Sequence, residues 1–164
     1  MPPYPIILSY IQAEALLTAK GQGKAVIEVS PDLGITTVTV KLLDEDVEFP
    51  LGERVRWSDI ERMKKAITNC FIVKESGVQT IQTFSEYTNR VCSLLPTKRT
   101  PSMLIAGFTM HRIVDIDPMQ DTLKKIATIA PVVGSVLDTA TGLGYTAIEA
   151  AKKNVEQNSG PKNC

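Results

Sequence analysis

The sequence predicts an α+β protein: a β-rich N-terminal domain with short helices over residues 1–110, then the opening of an α/β domain over 111–164. Three observations predict it. Short alternating apolar runs separated by turn residues fill the chain from Lys24 to Phe108. Capped helical patterns take over from Asp117. Between them "TMHRIVDID" follows neither period and marks the seam.

Each element has its own warrant. Ser9 can cap a helix running to Ala19, with Ile11, Ala15 and Leu16 on one face and "GQG" to stop it. "KAVIEVS" and "ITTVTVKLL" alternate on either side of a "PDLG" turn, and "VEFPLGERVRW" reads as strand, turn and strand. "SDIERMKKAITN" is a helix: Ser58 and Glu61 have capping-box spacing, and Ile60, Met63 and Ile67 form a stripe. "CFIVKE", "VQTIQTFS", "VCSLL" and "SMLIAGF" read as strands, with a proline-flanked "TKRT" loop before the last. In "DIDPMQDTLKKIATIAP", Asp117 occupies the N-cap, Pro118 the first helical position and Gln120 the reciprocal capping site. Leu123, Ile126, Ala127 and Ala130 are the expected buried stripe. "SVLD" then reads as a strand, and "YTAIEAAKKNVEQ" as a helix with Ala147, Ile148 and Ala151 inward.

Composition narrows the class. The 164 residues suffice for one ordinary domain or two small ones, and 43% are hydrophobic, enough for a core. Eighteen basic residues balance eighteen acidic ones, so net charge gives no sign of a nucleic-acid partner. Cys70, Cys92 and Cys164 show no metal-ligand spacing and fit a reducing, cytoplasmic setting. No secretory leader and no run of about 20 apolar residues is visible, so no membrane partner is expected.

The segment "VLDTATGLG" carries the chemistry. An acid at a strand's exit, two glycines in the next turn and a helix beyond them suit a nucleotide cofactor. Gly142, Gly144 and Ala147 match a dinucleotide G-x-G-x-x-A frame, but Asp138 lies between strand and glycines, where that frame wants no acid. The D-x-x-x-G-x-G frame suits an S-adenosylmethionine turn better, with Ala140 in its first glycine position. A strand–turn–helix that binds nothing is the plain alternative.

With "MHR", "DPMQDT" and "DTATGLGYTAIEAA" in this order, the chain resembles archaeal-type class I S-adenosylmethionine-dependent methyltransferases of the spermidine-synthase-like branch. The resemblance implies a β-rich domain followed by a Rossmann-like α/β methyltransferase domain. It implies cofactor contacts at Asp138, Thr139, Ala140, Gly142, Leu143, Gly144 and Tyr145, and an undefined substrate. Such enzymes continue with further strands, a ribose-binding acid and a catalytic loop. Here "KKNVEQNSGPKNC" follows instead, so the expected site is incomplete and no general base is assigned. A second copy or a partner chain would complete the sheet. The rival reading is a non-catalytic binding or scaffold protein built on the β-rich part.

Four further residues precede this motif as candidates. His111, the sole histidine, and Arg112 suit proton transfer or anion clamping, or else a structural link with Arg112 paired to Asp115 or Asp117. Asp121 and Thr122 sit in a helix's first turn, where the dipole alone favours an acid. Lys98, Arg99, Lys124, Lys125, Lys152 and Lys153 form either a basic rim or solvated surface.

Overall fold

Ser9 ends one element and opens the next. It closes strand β1 (Ile7–Ser9) and caps helix α1 (Tyr10–Gly21) through a full capping box with Gln12. Ser9 Oγ lies 3.3 Å from the Ile11 amide, and Gln12 Oε1 accepts from the Ser9 amide at 2.9 Å. Both side chains are buried, so the box replaces water for groups that have none nearby. These features come from a computed structural model, which describes residues 5–132, 134–139 and 141–158.

Strands β2 (Val26–Val29), β3 (Val38–Leu42), β4 (Asp46–Glu48) and β5 (Arg54–Arg56) form one antiparallel sheet in that order. Helix α2 (Trp57–Lys65) follows directly and packs against α1. The main core lies between this sheet, the two helices and β1 with β6 (Cys70–Lys74). Leu8, Leu16, Val40, Val47, Ile60 and Met63 are fully buried there. Trp57 fills one edge, and its indole N–H donates to the Leu43 carbonyl at 2.9 Å. Burying these side chains supplies most of the drive to fold.

Strands β1, β6 and β7 (Gly77–Thr80) make a second antiparallel sheet. A third holds β8 (Gln82–Ser85), β9 (Arg90–Leu95), β10 (Ser102–Ile105) and β11 (Phe108–Thr109). The expected single strand "VQTIQTFS" is therefore shared by two sheets, handed over at Ile81. The Ile81 amide still donates to the Cys70 carbonyl at 2.8 Å. A turn at Ala106 and Gly107, both at positive φ, splits "SMLIAGF" into β10 and β11.

Helices α3 (Pro118–Thr128) and α4 (Tyr145–Asn158) follow. Asp117 caps α3 as expected, its carboxylate accepting from the Met119 and Gln120 amides at 2.9 and 3.1 Å. Ile126, Val132 and Ala150 form a small second core between the two helices.

The expected Rossmann-like domain does not appear among the described residues. Among the described residues the chain is a small α+β fold with three antiparallel sheets and four short helices, without alternating strands and helices. "SVLD" forms no strand: Ser135 to Asp138 are irregular, and no strand among the described residues pairs with them.

Several finer expectations fail for local reasons. Helix α2 starts at Trp57 with Arg56 as its cap residue and no side-chain cap bond, so Ser58 and Glu61 form no capping box. It ends at Lys65, which leaves Ile67 61% exposed. In α1 the buried face runs through Gln12, Ala13, Leu16 and Ala19, with Ala15 outside. In α3 the buried line is Pro118, Thr122 and Ile126, while Leu123, Ala127 and Ala130 are exposed. In α4, Ala150 is buried and Ile148 is half-exposed.

Candidate functional site

Thr141 to Gly144 form a tight turn at the start of α4. The Gly144 amide donates to the Thr141 carbonyl at 2.7 Å, and the Ile148 amide to the Gly144 carbonyl at 2.8 Å. Gly142 and Gly144 have φ of 53° and 82°. Both values are left-handed, where a side chain would strain the backbone, which is why glycine stands at these two positions. A Cβ on Gly144 would also lie 3.6 Å from Ile148 Cδ1. The turn points into a 14-residue helix whose first amides carry positive partial charge.

Asp138 is half-buried, with Oδ2 shielded from solvent. Its carbonyl accepts from Thr141 Oγ1 at 3.5 Å. A cleft of about 220 Å³ lies between its segment and one side of α4, lined by Gly134, Val136, Asp138, Ala147, Ala150 and Asn154 among others. Asn154 Nδ2 donates to the Gly134 carbonyl at 3.3 Å and ties the two walls together. Drug-sized ligands occupy pockets of roughly 300–1,000 Å³, so a whole nucleoside cofactor does not fit this cleft alone. The acid, the glycine turn and the helix start fit one wall of such a site. Thr139 is exposed and Leu143 half-buried, while Ala140 lies outside the described residues.

Tyr145, the first residue of α4, joins the turn to the third sheet. Its hydroxyl donates to the Pro101 carbonyl at 2.9 Å, and its ring lies 5.2 Å from that of His111 at a 44° tilt. Burial, with a smaller contribution from Cys70, pushes the phenol up to about 12, so it remains a donor at neutral pH. His111 Nδ1 is 3.2 Å from the hydroxyl of buried Ser102. Burial holds the imidazole below its ordinary range, Lys125 lowers it further, and Asp121 partly offsets both.

The structure thus brings His111 against Tyr145. Arg112 is exposed, and no ion pair among the described residues includes it, so the expected link to Asp115 or Asp117 is not formed. Asp121 pairs with Lys125 at 2.7 Å, one turn along α3. Thr122 is buried. The basic rim is partly neutralised within its own helices, since Lys152 pairs with Glu149 at 2.6 Å and Lys153 with Glu156 at 2.8 Å.

Sequence reasoning missed Ser102, the Pro101 carbonyl and Asn154. A main-chain acceptor has no sequence signature, and the two polar side chains look like any others until the chain folds back over them. Among the described residues no group of His, Cys, Asp and Glu is arranged to hold a metal ion. None of their helices is long and apolar enough to cross a membrane.

The chain matches no family model. It is 30% identical over 156 residues to an uncharacterized protein of Methanocaldococcus jannaschii, in an alignment that takes in 92% of this chain and 52% of that protein. The chain therefore spans about half the length of this relative.

Proposed function

We propose that this chain is an S-adenosylmethionine-dependent methyltransferase-like protein of unassigned substrate, in which the segment Asp138 to Tyr145 forms one wall of the cofactor site. The observation that carries the reading is the turn itself: two left-handed glycines immediately before a helix, four and six residues beyond a half-buried carboxylate. The residue pattern of "DTATGLGYTAIEAA", which contains this turn, agrees with it.

When bound, the cofactor supplies an activated sulfonium methyl group. The chain's residues bind and orient. The Asp138 carboxylate accepts hydrogen bonds from the cofactor's ammonium group. Gly142 and Gly144 allow close backbone approach. The first amides of α4 favour the cofactor's carboxylate. Tyr145 and His111 hold the turn against the sheet through the Pro101 carbonyl and their ring contact.

The remaining walls come from polypeptide corresponding to the relative's other half, or from a partner chain. Val136 and Leu137 are 51% and 85% exposed beside the turn and offer the apolar surface for that contact. A reducing, cytoplasmic setting belongs to the same reading and is supported by the unpaired Cys70 and Cys92.

A second reading, a non-catalytic binding or scaffold protein, is favoured by one observation. The main core lies entirely before α3, while the cleft beside Asp138 is only about 220 Å³. Calorimetric titration with S-adenosylmethionine, S-adenosylhomocysteine and NAD separates the readings. It should be run on this chain and on a chain extended by sequence matching the relative's other half. Micromolar binding of the first two by the extended chain, lost in Asp138→Ala, is expected. Silence from both chains would overturn the cofactor reading and leave the scaffold.

A further inference from the structure

A second cleft, with no residue in common with the one beside Asp138, runs across the second and third sheets. It is a trough of about 540 Å³, more than twice the cleft of about 220 Å³ beside Asp138. The registers explain its lining. Ile7 pairs with Ile72, Ile72 with Gln79, Thr83 with Cys92, and Leu94 with Met103. Side chains alternate along a strand, so these residues share one face, and Ile81 stands on that face between Gln79 and Thr83. The handover at Ile81 lets the face run from one sheet into the next. Ile7, Ile72, Ile81, Leu94 and Met103 make the apolar floor. Lys74 is the one charged residue in the lining, and no ion pair among the described residues includes it.

We infer that this trough binds an elongated amphipathic monoanion, a medium-chain carboxylate in its simplest form, with the chain on the apolar floor and the anion at Lys74. Three features select this occupant. The volume lies within the range of small-molecule sites. A single unpaired cation beside a continuous apolar floor complements one negative head and an uncharged tail. The floor is built of side chains on one face of the ladders rather than of main-chain groups, which suits an uncharged tail better than a peptide strand.

The test uses laurate, dodecanol and dodecylammonium below their micelle thresholds, with the full chain carrying Cys164→Ser. Cys92, half-buried in the trough, then reports occupancy through its rate of alkylation by a maleimide. Cys70 does not compete, being fully buried with its thiol pushed up to about 12. Saturable one-to-one laurate binding should slow Cys92 alkylation. Lys74→Glu should weaken laurate binding about tenfold, and dodecanol should bind weaker than laurate by a similar factor. Ile81→Glu should abolish binding while the far-UV circular dichroism is retained. If Ile81→Glu fails to fold, the Lys74 variant and the three head groups decide. Equal binding of the three ligands, an unchanged Lys74→Glu, or no protection of Cys92 would overturn the inference. So would self-association that protects Cys92 without ligand, which would give the trough to a second copy.

Discussion

Helices α1 and α4 have similar lengths, 12 and 14 residues, and opposite surroundings. Helix α1 is enclosed by α2, β1 and β2, and buries four residues along one face. Helix α4 meets α3 and contributes Ala150 to a three-residue cluster, while Ile148 and Val155 remain 50% and 64% exposed. Both sequences carry apolar residues at helical spacing. Whether a stripe becomes a core depends on what lies opposite, and only the first half of the chain supplies that.

The strongest way to break this comparison is to cut an equal volume from each side. Leu16→Ala should cost about 2–5 kcal/mol in urea unfolding, because a fully buried side chain leaves a cavity. Ile126→Ala should move the same transition by about 1 kcal/mol or less, since a small cluster opens locally before the whole fold does. Equal losses would mean that the two halves unfold as one unit.

A smaller effect sharpens the joint between them. Tyr145→Phe removes the hydroxyl that donates to the Pro101 carbonyl and should cost about 1 kcal/mol. Amide exchange should quicken along α4 and stay unchanged in β2–β5. Uniform acceleration would show that this bond supports the whole fold.

The smallest effect is pH-dependent. The His111 pKa is lowered below 6.5 in the folded protein, so the folded state binds fewer protons than the unfolded one near that pH. The contribution of His111 to stability is therefore complete above about 6.5 and declines as pH falls toward the folded-state value. An NMR titration of the imidazole should give a midpoint below 6.5 that rises in Lys125→Ala. A midpoint at or above 6.5 would contradict the burial of this ring against Tyr145.

The same contrast explains how far the sequence could be read. Asp117, Pro118 and Ser9 stand where their local chemistry puts them, because caps carry their own instructions. Ile60 and Met63 are buried as their spacing predicts, but Ile67 is not, since α2 stops before reaching it. Leu123, Ala127 and Ile148 follow the right period and face water, because the surface they suit is not opposite them. Val136 and Leu137 suit a strand, but no strand among the described residues pairs with them. The glycine turn was legible because φ is a local property. The His111–Tyr145–Pro101 contact was not, since it joins residues 44 positions apart through a main-chain carbonyl.

The shared strand at Ile81 imposes a parity on the chain. Gly77 to Thr80 pair with β6 and Gln82 to Ser85 with β9, and one intervening residue keeps both ladders in phase. Inserting a single amino acid there would turn the third sheet over relative to the second, exchanging Phe84 and Val91 for Thr83 and Cys92 on every layer. Inserting two would restore the phase, so a two-residue insertion at this corner is expected to cost less than a one-residue insertion.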